Sequence, residues 1–446
     1  MRYITTLFIT FILSLTVPTA IGAATLDFPG KDASTVGIAV VEISTGQIVT
    51  SENYNKVMLP ASTLKSVTSA TALNILGSDY TFVTNVIAEG NINGGVLNGN
   101  IVVKPSGDPT IQSEHFPETA GFTDSIVSNL KRLGISVIRG EIVVDEDGFK
   151  DPAQNPQWTV GDLGCAYGTG NYAFNFRDNI FKIYPESQRT VPDAPWVEIV
   201  IESSEGTNEV VHGVNSDLYV LSGRGVDRSS YCTSVPMNSP SAFFIAELKG
   251  KLKSSGVSVN EEYIESSGNT CMVYSHRSPQ LKYILQSLMV RSDNMMAESV
   301  LRALDITDSR SSVLAVEKKH WQNKGIDTSK ITLLDGSGLA RANRVSPKFI
   351  SDVLVNMANG DKAEIYTGLF PKVGKEGTVR NLLRHTTLDG KLALKSGSLN
   401  GVHCYAGYKF GANGTPTHVV VVMVNNFYCS RDVLRSRIQS WLLSLF

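Results

Sequence analysis

Ser62 and Lys65 stand three residues apart at the start of a stretch, 61–76, that reads as a helix. Residues three apart on a helix share a face, so the hydroxyl and the amine can meet. A serine hydroxyl is a poor nucleophile at neutral pH, and a partly desolvated lysine amine can take its proton. Two later segments carry matching chemistry. Ser292-Asp293-Asn294 lies in 281–303, whose apolar residues fall at helical spacing, and Lys395-Ser396-Gly397 follows the apolar run 392–394 and precedes Ser398. Together they offer a nucleophile, two amines, a second hydroxyl and a carboxamide. Taken singly, each triplet also reads as ordinary local structure: a solvated helix face, a helix cap, a strand end entering a turn.

Something must bring these distant residues together. The chain has 446 residues, more than one compact domain holds, so two or three domains are expected. The net charge of −2 gives no basic footprint for nucleic acid. Arg2, the apolar run 4–17, Pro18 and the small residues Ala20, Gly22, Ala23 and Ala24 read as an export signal over 1–23. No other stretch is apolar enough to span a bilayer, so the mature chain is expected to be soluble, outside a membrane. Five cysteines leave at least one thiol unpaired; Cys165 and Cys232, both in the middle region, are read as a disulfide pair. Neither the cysteines nor the seven histidines have metal-ligand spacing, and no metal or other cofactor is expected.

The segments 35–43 and 47–53 read as a hairpin around Ser44-Thr45-Gly46, with the Ser62 helix directly after. The C-terminal third repeats the pattern: strands at 392–395, 403–410 and 418–424, then an amphipathic helix at 431–446 suited to packing on the sheet. About 226 residues separate Lys65 from Ser292, more than one helical subdomain needs. The surplus, 78–273, has the texture of a mainly-β insertion in one piece or two nested modules, with strands at 83–89, 100–104, 136–145, 196–201 and 218–221. The catalytic domain is then discontinuous, 24–77 with 274–446.

Ser-x-x-Lys, Ser-x-Asn and Lys-(Ser/Thr)-Gly, in that order, are the signature set of penicillin-binding proteins and serine β-lactamases. The chain resembles, within that superfamily, the type-4 D-alanyl-D-alanine carboxypeptidase/endopeptidases, the class C low-molecular-mass penicillin-binding proteins. The large insertion fits them. So do Gly107-Asp108-Pro109-Thr110, the loop Asp335-Gly336-Ser337-Gly338-Leu339-Ala340-Arg341, where the family has Ser at the Ala340 position, and Gly377-Thr378. The resemblance implies an α/β (α+β) transpeptidase fold: a five-stranded antiparallel sheet with helices on both faces, plus a helical subdomain.

It also implies roles. Ser62 is the nucleophile and Lys65 the base, its pKa lowered by burial and by Lys395. Ser292 relays a proton between Lys65 and the leaving amine, and Asn294 holds Lys65 and the substrate. Lys395, Ser396, Gly397 and Ser398 receive the substrate's terminal carboxylate, and the N–H groups of Ser62 and Ser398 form an oxyanion hole. Arg341, Asn400, Asp162 and Tyr167 are candidates for reading a diaminopimelate side chain. The expected partners are peptidoglycan stem peptides and cross-links, with β-lactams as covalent inhibitors, in a bacterial periplasm. A β-lactamase shares the triplets, but no Glu-x-x-x-Asn element lies between the second and third. A catalytically silent wall-binding protein is the rival of another class, and the intact triplets speak against it.

Overall fold

The structure, a computed structural model, describes residues 25–213, 216–262, 268–306 and 308–446; the expected export signal lies outside them. Thr35–Glu42 is β-branched and apolar on both faces, which fits a central strand covered on each side. It pairs antiparallel with Ile48–Glu52 and with Pro416–Asn425, and the sheet continues through Val402–Phe410 to Leu392–Leu399 at the edge. The five strands are all antiparallel, as the resemblance implied.

Each face of this sheet has its own core. One carries Val36, Ile38, Val40, Leu392, Leu394 and Val422 against Leu434, Ile438, Trp441 and Leu442 of the C-terminal helix Arg431–Leu445. That helix therefore spends its apolar stripe on the sheet. The other face packs against a helical layer that includes Leu64–Leu76, Leu281–Arg291, Asn294–Arg302, Arg310–Asn323 and Pro347–Ala358. The helix after Ser62 is buried on all sides from Leu64 to Leu73, hydroxyl residues included. Two of its hydroxyls bond backbone carbonyls, Ser66 to Thr63 and Thr68 to Gly336, which offsets their burial.

The expected helix over 281–303 is two helices. Ser292 takes a left-handed conformation, φ 64°, and Asp293 caps the second helix by accepting from the Met296 N–H. The capping reading holds: Asp293 is the cap, and Ser292 and Asn294 flank it at the break.

Residues between the two catalytic segments form three sheets around one apolar core running from Val86 to Val273. Val83–Asn93 and Val96–Lys104 form the expected strands, longer than foreseen, and Thr270–Arg277 pairs with the first of them. The segment 136–145 is not one strand: Val137–Ile138 and Ile142–Val144 are separate, with Gly140 against the backbone of Gly99. The Cys165–Cys232 disulfide is absent. The Cys165 thiol turns back to the Gly161 carbonyl, Cys232 is exposed, and all five cysteines are free. Among the described residues no helix is long and apolar enough to cross a membrane.

Candidate active site

Ser62 lies in the short 3-10 turn Ala61–Thr63 that enters the buried helix. One turn on, the Lys65 side chain is fully buried, with its amine 3.0 Å from Ser62 Oγ. The amine donates to two more oxygens, Asn294 Oδ1 at 2.6 Å and the Ser337 carbonyl at 2.6 Å. Burial lowers its pKa to about 8, against the pull of Asp335, Asp293 and Glu298.

Lys395 enters from the edge strand. Its amine is 2.7 Å from Ser292 Oγ and 2.7 Å from the Ser396 carbonyl, both uncharged. Burial first, and then repulsion from Lys65, hold its pKa well below the usual lysine range. Burial lowers both amines, as the sequence reading expected for Lys65; carboxylates of Asp335, Asp293 and Glu298 pull the Lys65 value back up, and no carboxylate is bonded to Lys395. The Ser292 hydroxyl meets Lys395 rather than Lys65.

Gly397 shows how tightly the edge strand meets the turn that carries Ser62. A Cβ there would sit 2.8 Å from the Pro60 carbonyl, 2.9 Å from the Ser62 nitrogen and 3.0 Å from the Thr63 nitrogen. Only a bare backbone can pass. Lys395 and Gly397 thus face the helical layer, while Ser396 and Ser398 alternate to the other face. Ser396 Oγ donates to Thr378 Oγ1 at 2.7 Å, and Ser398 is exposed.

The inserted region reaches the same place. Asn294 Nδ2 donates to the Tyr167 carbonyl at 2.8 Å, which leaves its second amide hydrogen for a substrate. The Tyr167 side chain is half-exposed, and its hydroxyl donates to Asp162 Oδ1 at 3.2 Å. Asp162 is buried and caps its own short helix through Thr159. Trp158 donates to Asp335 at 3.0 Å and packs with Leu163, Leu339, Ala340 and Leu399. This small cluster ties together the segments bearing Arg341 and Asn400. Both residues are exposed, and the Arg341 guanidinium makes no ion pair among the described residues.

Glu298 was missed in the sequence. Its Oε1 accepts from the Gly336 and Ser337 N–H groups at 3.0 and 2.9 Å, and so holds the two peptides just before the Ser337 carbonyl that receives Lys65. Burial, aided by Asp335, pushes its pKa up to about 7. Its place four residues after Asn294, on one helix face, was a signal that could have found it.

A serine with a buried amine beside it and a second serine–lysine pair opposite, on a five-stranded antiparallel sheet with helices on both faces, mark a penicillin-binding-protein-like transpeptidase fold. The model of the D-Ala-D-Ala carboxypeptidase 3 (S13) family matches residues 18–441, and the chain belongs to that family. It is 28% identical to the D-alanyl-D-alanine carboxypeptidase DacB of Haemophilus influenzae, over 94% of this chain and 92% of the relative. It is 24% identical to a D-alanyl-D-alanine carboxypeptidase of an Actinomadura species, over 90% and 80% of the two chains. The crystal structure of penicillin binding protein 4 from Haemophilus influenzae superposes with a TM-score of 0.79 at 24% identity, covering 94% of this chain and 97% of that one.

Proposed function

We propose that this protein is a serine-type D-alanyl-D-alanine carboxypeptidase and endopeptidase of peptidoglycan, exported to a bacterial periplasm. The observation that carries the reading is the 3.0 Å contact between Ser62 Oγ and a buried Lys65 amine. Family membership and the curated relatives support the substrate class.

Ser62 Oγ attacks the carbonyl of the penultimate D-alanine while Lys65 takes its proton. The N–H groups of Ser62 and Ser398 hold the resulting oxyanion, each worth about 10²–10³ in rate at comparable sites. As the C–N bond breaks, Ser292 hands its proton to the leaving amine and draws another from Lys395. Water then adds to the ester carbonyl, giving one proton to Lys395, while Lys65 returns its proton to Ser62 Oγ as the C–O bond breaks, so the serine and both lysines are restored. The terminal carboxylate of the substrate lies by Ser396, Ser398 and Lys395, and its arrival stabilises a proton on the Lys395 amine. Arg341 and Asn400 read a side-chain carboxylate of diaminopimelate, and Tyr167 lines that subsite with Asp162 behind it. A β-lactam opens on Ser62 by the same attack and stays as an ester.

Purified protein mixed with benzylpenicillin is expected to gain one adduct on Ser62 by mass spectrometry, and Ser62→Ala none. Cross-linked muropeptides should yield monomers and free D-alanine. Rapid steady-state turnover of penicillin would instead mark a β-lactamase. No adduct and no product would mark a silent wall-binding protein.

A further inference from the structure

His403 belongs to none of the three triplets, yet it stands directly behind the edge of the site. It is the cross-strand partner of Ser398, and Tyr405 is the partner of Ser396. Directly opposed residues of an antiparallel pair share a face, so all four lie on one side of the sheet. Ser398 is exposed, while His403 and Tyr405 are buried. His403 Nδ1 is 2.9 Å from Ser398 Oγ, and Nε2 is 2.9 Å from the Tyr405 hydroxyl.

Hydrogen counting fixes the direction of this chain. Burial, with Arg431 and Arg435 nearby, holds the imidazole pKa at about 4, so the ring is neutral and carries one proton. Among the described residues the Tyr405 hydroxyl bonds only to Nε2. If Nε2 held the ring proton, the buried phenol hydrogen would have no acceptor, at a cost of about 1–3 kcal/mol. Tyr405 therefore donates to Nε2, the ring proton sits on Nδ1, and Nδ1 donates to Ser398 Oγ. The Ser398 hydrogen is left for the exposed sheet edge, where the reading above puts the substrate's terminal carboxylate.

We infer that His403 is a positioning residue, which with Tyr405 holds the Ser398 hydroxyl as a donor to the substrate's terminal carboxylate. The inference rests on the functional reading above, which places that carboxylate at Ser398. A serine with no such neighbour could as readily turn its hydrogen inward and present lone pairs to an anion.

The test compares a tripeptide ending in D-alanyl-D-alanine with its C-terminal amide, reading KM and kcat/KM on folded protein checked by thermal melting. His403→Phe is expected to raise KM for the acid about tenfold and to lower the acid-over-amide preference by a similar factor, as fits a misdirected bond to a charged group. Tyr405→Phe, which deletes one oxygen and frees the tautomer, should move the preference the same way and decides the matter if His403→Phe does not fold. His403→Asn, with an amide N–H near the Nδ1 position, should recover most of the loss. An unchanged preference in an active protein, or equal losses on acid and amide, overturns the inference alone. A parent protein that cleaves neither peptide and takes no penicillin adduct overturns the functional reading, and this inference with it.

Discussion

In the proposed reaction Lys65 takes the Ser62 proton, which it can do only when its own amine is neutral. With its pKa at about 8, the neutral fraction grows as pH rises through that value. The second-order rate of acylation by penicillin should therefore climb about tenfold per pH unit below 8 and level off above it; a flat profile from pH 6 to 9 would exclude Lys65 as the base. Arg341 offers a separate check, because its guanidinium is exposed and holds no partner among the described residues. Arg341→Ala should raise KM for diaminopimelate-containing peptides several-fold more than for simple D-alanyl-D-alanine peptides. Equal effects would place it outside side-chain recognition. The candidates themselves were legible at this scale: the three triplets in their order, and the resemblance they carry, named Ser62, Lys65, Ser292, Asn294 and Lys395, which the fold gathers together. Who touches whom was not: that Ser292 serves Lys395, and that carboxylates guard Lys65, depends on backbone angles and neighbours that no triplet records.

The edge strand Leu392–Leu399 and the turn at Ser62 approach each other through a glycine. Gly397→Ala would push the strand off the nucleophile and spread the two N–H donors. The expected outcome is a loss of about 10² or more in acylation rate, with a melting temperature close to the parent's. A fully active Gly397→Ala protein would show that strand and turn can part without cost. The left-handed Ser292 is the matching feature on the helical side. A continuous helix over 281–303 was the natural reading of its apolar spacing, because periodicity registers burial and not a single reversed φ. The strand ends were legible to within a few residues wherever alternation was clean. They failed at 136–145, where Gly140 lets the chain step between two short pairings.

At the scale of the whole molecule, the helical layer buries more acid than it neutralises. Glu317 is fully buried with its pKa pushed up to about 7, mainly by burial, from an ordinary 4.5, and Glu298 behaves alike. Between those values the folded chain holds protons that the unfolded chain has lost, so stability falls as pH rises from 4.5 to 7. The lowered pKa of Lys65 acts in another window, above pH 8. Glu317→Gln cannot titrate. It should melt higher than the parent at pH 8, by the equivalent of about 1–3 kcal/mol, and lose that advantage near pH 5. Calorimetry showing a constant gap across that range would refute the buried-charge account. A last consequence concerns the inserted region. Phe82 and Ser278 are bonded to each other at its base, N–H to hydroxyl at 2.9 Å and N–H to carbonyl at 3.0 Å. The polypeptide thus departs and returns through a single doorway, and among the described residues nothing in between adds a strand to the host sheet. The inserted region is therefore one excursion from the host fold, whose outer strands are free to vary while the stretch carrying Trp158 and Tyr167 stays tied to Asp335 and Asn294.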